Sequence, residues 1–192
     1  MRTSTFVICI LIACLPLHAV SHSLSALTDI CVMDGVWEDT LQAQMVVRVS
    51  LDNQFSLSLP VSLTCEKGRG NPRLLETGLM LDYYPLSCGL HLSLSLVEVG
   101  FLFNDWYGDE EDAKKFLNEL AVGWSITPWR GLCIEPRILF RDPNGMFQDA
   151  YNVLSLRFSR FPMTRFSLLV GWRFSLGQKL NNDDQEEEEA WY

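Results

Sequence analysis

A period-two alternation of apolar and polar residues recurs through most of this chain and constrains its fold more than any other feature. In Thr164 to Gly177 (TRFSLLVGWRFSLG), Phe166, Leu168, Val170, Trp172, Phe174 and Leu176 share one phase. Arg165, Ser167, Leu169, Gly171, Arg173 and Ser175 share the other. A β-strand sends alternate side chains to opposite faces, so the segment reads as a strand with one greasy face and one small or charged face. The same pattern runs through Leu41 to Leu51, Gln54 to Thr64, Leu90 to Leu96, Glu119 to Ile126, Leu132 to Arg141 and Ala150 to Arg160, and more weakly through Arg73 to Tyr84. Turn chemistry at Asp52-Asn53, Pro85 to Gly89, Pro128 to Gly131 and around Pro162 separates them, with longer links at Lys67 to Pro72, Asn104 to Phe116 and Asp142 to Asp149.

Eight such segments predict an all-β fold, an antiparallel up-and-down transmembrane β-barrel of about eight strands. Alternation alone also fits a soluble sandwich or lipocalin-like barrel with its apolar face turned inward. Three features favour lipid. The segments run about 10–14 residues, long for ordinary strands but suited to tilted spans of a bilayer. Lysine is nearly absent from them: Lys67, Lys114, Lys115 and Lys179 fall in expected loops or the tail. The polar phase is rich in Ser, Gly and Gln with Arg and Glu interspersed, which suits a narrow lumen. There Arg48, Arg137, Arg157, Arg165 and Arg173 are expected to pair with Glu119 and Glu135. In hydrocarbon a sheet must close on itself, because unpaired backbone groups have no water to bond. Trp124, Trp129 and Trp172 fit an aromatic girdle.

The first 21 residues read as a signal peptide: Arg2, an apolar run from Phe6 to Leu17 too short to span as a helix, then Ala19 and Ser21 in a cleavage-like pattern. Residues 22–38 form an N-terminal segment with room for an extra strand, 39–177 the barrel, and 178–192 an acidic tail expected to be disordered. Of six cysteines, Cys31, Cys65, Cys88 and Cys133 lie outside the export segment, at spacings unlike a zinc site. The formal charge of −9 overstates the acidity of the body, because ten of the 24 acids sit in Asp109 to Asp112 and in the tail. Nothing suggests a nucleic-acid partner, a cofactor or a metal.

Two resemblances add to this. Gly171-Trp172-Arg173-Phe174-Ser175-Leu176 resembles the C-terminal β-signal of bacterial outer-membrane proteins, with Gly171, Phe174 and Leu176 at the defining positions. Leu169 replaces a usual polar residue, and the chain runs on to Tyr192. Together with the export segment and the strands, the chain resembles the small bacterial outer-membrane barrels as a class. This implies outer-membrane localisation, with membrane lipid and the barrel-assembly machinery as partners. Leu11-Ile12-Ala13-Cys14 resembles a lipoprotein lipobox, which would instead tether a soluble periplasmic barrel able to hold an apolar ligand. Loop lengths resist the membrane scheme if Leu41 opens the first strand, because the long links would then face the periplasm. A strand within 23–37 would reverse that orientation.

The charge rows read either as a salt-bridged filling or as the lining of a small pore, so the expected role is structural or solute-passing, without catalysis. The one catalytic constellation to name is His91, Ser93 and Glu98. His91-x-Ser93 on one strand face is similar to the outer-membrane lipid A deacylases, which implies a lipid-modifying enzyme. Leu94 stands where that family has asparagine, and Glu98 is closer in sequence than that family's acid. The alternative for His91 is a lumenal polar residue bonded to a neighbour.

Overall fold

The computed structural model describes residues 22–31, 40–66, 70–86, 88–103, 114–158 and 163–176. The expected signal peptide, residues 1–21, and the acidic tail, residues 178–192, lie outside these. The described chain forms β1 (His22–Asp29), β2 (Thr40–Ser50), β3 (Phe55–Glu66), β4 (Pro72–Tyr83), β5 (Leu90–Leu102), β6 (Lys114–Leu117), β7 (Glu119–Trp124), β8 (Ile126–Trp129), β9 (Leu132–Arg141), helix α1 (Gln148–Arg157) and β10 (Thr164–Leu176).

Every pairing is antiparallel. The order β1-β2-β3-β4-β5 continues into an interrupted stave made of β6, β7 and β8. There β6 and β7 pair with β5, while β7 and β8 pair with β9. Then β9 pairs with β10, and β10 pairs with β1 over His22↔Leu176 to Asp29↔Leu169. The result is a closed barrel of eight staves, as the alternation predicts.

Two of the staves differ from expectation, and the differences cancel. Residues 148–157 are helical, so the segment Ala150 to Arg160 supplies no strand. Its apolar residues also fit a helical period, and that reading wins: Phe147, Ala150, Tyr151, Leu154 and Phe158 pack together, while Leu156 is 88% exposed. The missing stave comes from β1, inside the segment with room for an extra strand.

That exchange also resolves the loop lengths. With β1 in place, both ends of the barrel chain and the short connections 51–54, 84–89 and 130–131 lie at one end. The strand ends joined by the longer connections 30–39, 103–113 and 142–163, and by the five-residue 67–71, lie at the other.

Closure at the β1–β10 seam depends on Gly171. A Cβ there would stand 1.9 Å from the Ala26 carbonyl oxygen and 2.6 Å from Leu27 Cα. The β8–β9 connection turns on Gly131 at φ 93°, a conformation glycine adopts without steric cost.

Candidate functional site

The barrel is inside-out relative to a soluble domain. Its wall presents Leu41, Met45, Val49, Leu59, Val61, Leu63, Leu92, Leu94, Val122 and Ile138 outward, each 37–54% exposed. Aromatics mark the two ends of this surface. Trp124, Trp129, Trp172 and Phe174 lie toward the short-turn end, as does a stacked Phe55–Tyr83 pair with ring centroids 5.1 Å apart. Phe103, Phe116, Phe140 and Phe166 lie toward the long-loop end.

The opposite phase of each strand turns inward. Arg48, Asp82, Glu135 and Arg137 are at most 2% exposed, and Asp29, Glu76, Glu98, Glu119 and Arg141 at most 6%. Buried charge is tolerated only when it is paired or hydrogen-bonded. Apart from Glu98, whose Oε2 has no partner, these charges meet that requirement, several with ties that reach across the lumen.

Arg48 on β2 bonds Glu135 on β9 at 2.5 Å and Asp82 on β4 at 2.9 Å. Ser58 accepts from Arg48 Nε at 2.9 Å and donates to Asp82. Arg165 on β10 donates to Gln44 on β2 at 2.7 Å and approaches Asp29 at 3.6 Å. Arg137 bonds Ser167, whose hydroxyl donates to Asp29 at 2.6 Å. Nearer the long-loop end, Arg141 bonds Glu119 at 2.8 Å and Glu76 at 3.5 Å, and Gln42 donates to Glu76 at 3.1 Å.

Of the expected network, Arg48, Glu119, Glu135, Arg137 and Arg165 therefore stand in the buried lumen. Arg173 stands at its short-turn mouth, reaching Ser125 Oγ at 3.2 Å and Cys133 Sγ at 3.9 Å. Arg157 ends α1 and lies on no barrel strand. The sequence-based network omitted Asp29, Glu76, Asp82 and Arg141. Three of these fall on the polar phase of strands already recognised, and Asp29 falls on β1.

The catalytic constellation is divided. His91 and Ser93 face the lumen at 1% and 0% exposure. His91 Nδ1 lies 3.3 Å from the Gly89 carbonyl, and its ring centroid is 5.1 Å from that of Tyr84. Gly123 opposite makes room for the ring, since a Cβ there would come within 2.8 Å of it. Glu98 sits at a different level. It lines a void of about 10 Å³ with Gln44, Glu76, Glu119, Arg141 and Arg165. A β-bulge between the pairs Leu79↔Val97 and Met80↔Ser95 resets the alternation, so Leu96 and Val97 both face outward and Glu98 turns in. No bond joins Glu98 to His91 or Ser93 among the described residues, and both His91 Nε2 and Ser93 Oγ are without partners. All three lie inside the barrel, away from the surface a lipid would touch. Among the described residues there is no group of three or more His, Cys, Asp and Glu able to hold a metal.

The long-loop end of the lumen is capped. Tyr151 and Leu154 of α1 pack on Leu74, Leu102 and Leu117, the lumenal residues at that end of β4, β5 and β6. Tyr151 also clamps the break between β6 and β7: Asn118 N donates to its hydroxyl at 3.0 Å, and the hydroxyl donates to the Asn118 carbonyl at 2.6 Å. Burial pushes the Tyr151 phenol well above its ordinary value. The short-turn end is open. Tyr84, Asn53 and Arg173 are shared by two adjoining clefts of about 520 and 310 Å³.

No protein-family model matches the chain, and no curated protein is detectably similar to it.

Proposed function

We propose that this chain is an integral outer-membrane β-barrel of bacterial type with a structural, non-conducting role. The observation that carries the membrane reading is the division of faces: a continuous apolar wall outside and a charged, self-paired filling inside. A water-soluble barrel would leave that wall exposed to solvent, where large contiguous apolar surfaces are rare. The stretch Phe166 to Phe174 of β10 would rise about 20 Å at the tilt usual for membrane barrels, close to the apolar band of such proteins. Its ends are aromatic and its middle is Leu168 and Val170. Both barrel termini lie at the end with the connections 51–54, 84–89 and 130–131, and the three longest connections, 30–39, 103–113 and 142–163, join strand ends at the other, which fits the periplasmic and external ends of outer-membrane barrels.

The filling favours a structural role over a pore. Ion pairs cross the lumen, the void beside Glu98 has room for about one water, and α1 covers one mouth. A lumen of Arg, Glu and Ser gives an apolar ligand nothing to bind. On this reading the barrel-assembly machinery recognises β10 through Gly171, Phe174 and Leu176, and the first 21 residues direct export.

The test is heat-modifiable migration of the native protein in SDS gels, together with its partitioning. A compact band that shifts on boiling, from a detergent-dependent membrane fraction, is expected. Full extraction into aqueous buffer without detergent overturns the membrane reading. Steady single-channel currents in planar bilayers overturn the non-conducting one.

A further inference from the structure

The short-turn mouth holds two large accessible clefts, and its chemistry is specific. Ser23, Ser50, Ser56, Asn53, Ser125 and Thr127 line the two clefts that meet there, and Leu86, Trp124 and Ile126 add an apolar side to the larger one. Arg173 lines both. Its Nη2 contacts Ser125 and Cys133, neither of which is a carboxylate. A guanidinium carries five N–H donors in a planar fork, so this one retains donors for a further acceptor.

Tyr84, which also lines both clefts, has a hydroxyl that is buried and without a partner. Burial pushes its phenol above the ordinary value, so the group stays protonated and able to donate. The carboxylate among the lining residues, Asp52, already accepts the Gln54 and Phe55 amides through Oδ1 at 2.7 and 2.6 Å. The acids deeper in the lumen at this level, Asp82 and Glu135, are tied to Arg48.

We propose that this mouth is an oxyanion-binding site, in which Arg173 grips a carboxylate or phosphate group and Tyr84 donates a further hydrogen bond. Charge-assisted, bidentate contacts of this kind are the strong members of their class. Two sources of the oxyanion exist. One is a free small anion. The other is the chain's own run of Asp183, Asp184 and Glu186 to Glu189, which begins ten residues after Arg173 at this end of the barrel. A tether that short supplies an effective concentration on the order of millimolar. The site depends on barrel closure alone and not on which membrane, if any, surrounds it.

The experiment titrates the folded chain with inorganic phosphate at constant ionic strength, chloride making up the balance, and follows binding by calorimetry. Four proteins are compared: the full chain, a chain ending at Gln178, and each of these with Arg173→Gln. Phosphate is expected to bind the shortened chain, and Arg173→Gln is expected to weaken it at least tenfold. Tyr84→Phe, which keeps the ring, is expected to weaken it about threefold, the scale of one neutral hydrogen bond. Binding tenfold weaker in the full chain than in the shortened one identifies the tail as the resident ligand; equal binding identifies a free anion. No binding to either chain, or binding that Arg173→Gln leaves unchanged, overturns the proposal.

Discussion

Replacing Arg48 with methionine removes one guanidinium and strands two carboxylates. Asp82 and Glu135 are both 0% exposed, and Arg48 bonds them at 2.9 and 2.5 Å. Breaking a buried pair by deleting one partner costs about 3–5 kcal/mol, because the remaining charge is left uncompensated in a poorly solvating interior. In a chain of this size about 1 kcal/mol moves a thermal midpoint by roughly 2–4 °C. Arg48→Met is therefore expected to lower the midpoint of heat-modifiability by roughly 6–20 °C. The triple variant Arg48→Met, Asp82→Asn, Glu135→Gln removes the charges together and is expected to recover most of that loss, since paired charges cost desolvation that neutral amides largely avoid. The assay is the loss of the compact SDS-resistant band against temperature, at low and high salt. A screened surface pair would weaken with salt, whereas this one is expected to be insensitive. A single variant within about 1 kcal/mol of the wild type would refute the view that this level of the lumen is dry and held by ion pairing.

Other expectations follow from the wall, the seam and the cap. Val122→Arg, on the outward face, is expected to destabilise the barrel in lipid vesicles by about 2–4 kcal/mol, where a water-facing site would change by under about 0.5; urea unfolding in vesicles distinguishes them. Gly171→Ala places a methyl 1.9 Å from the Ala26 carbonyl, so β1 must part from β10; a cost of at least about 1–3 kcal/mol is expected, read as the fraction of compact species after refolding. Tyr151→Phe removes both bonds to Asn118 and is expected to loosen α1 by about 1–3 kcal/mol, seen as faster amide exchange over 148–157. Because the folded phenol is raised, its contribution to docking is complete below the unfolded value of about 10 and is lost as pH climbs above it. A difference titration at 295 nm, wild type minus Tyr151→Phe, checks this: a step near 10 would contradict the docked geometry. His91→Ala with Ser93→Ala is expected to leave the lipid A acyl profile unchanged, and a change would reinstate the enzyme reading.

What the sequence made legible is the wall, and the reason is chemical contrast. In β2, β3, β9 and β10 large apolar side chains alternate with Ser, Gln, Arg and Glu, so both the strand and its inward phase are readable. Where contrast fails, so does legibility. The outward residues of β1 are Leu24, Ala26 and Thr28 while Leu27 points in, so the strand that closes the barrel carries almost no amphipathic signal. The bulge in β5 was hidden because Leu94, Leu96, Val97 and Val99 are all apolar, and a one-residue slip among them changes nothing visible. Residues 150–158 fit both periods, since Leu154 and Phe158 are four apart and belong to either. Only the apolar Phe147 and Tyr151 preceding them tip the balance to a helix. Membership of the lumenal network was readable from phase, but partners were not. Arg48 and Glu135 are 87 residues apart, and no local spacing specifies that pairing.

That long-range pairing bears on what the barrel can do. Within a stave, or between adjacent staves, an ion pair leaves the centre of a lumen free. The principal ties here join staves that are not neighbours: β2 to β9 through Arg48 and Glu135, β9 to β4 through Arg141 and Glu76, and β10 to β2 through Arg165 and Gln44. Each is a strut across the bore. Opening a path would break several of them at once and also displace Tyr151 and Leu154 from the long-loop mouth. On the proposed structural reading, a conducting state would have to offset the cost of severing such pairs, about 3–5 kcal/mol for a buried pair that loses one partner. These struts brace the described lumen between its capped long-loop end and its open short-turn end.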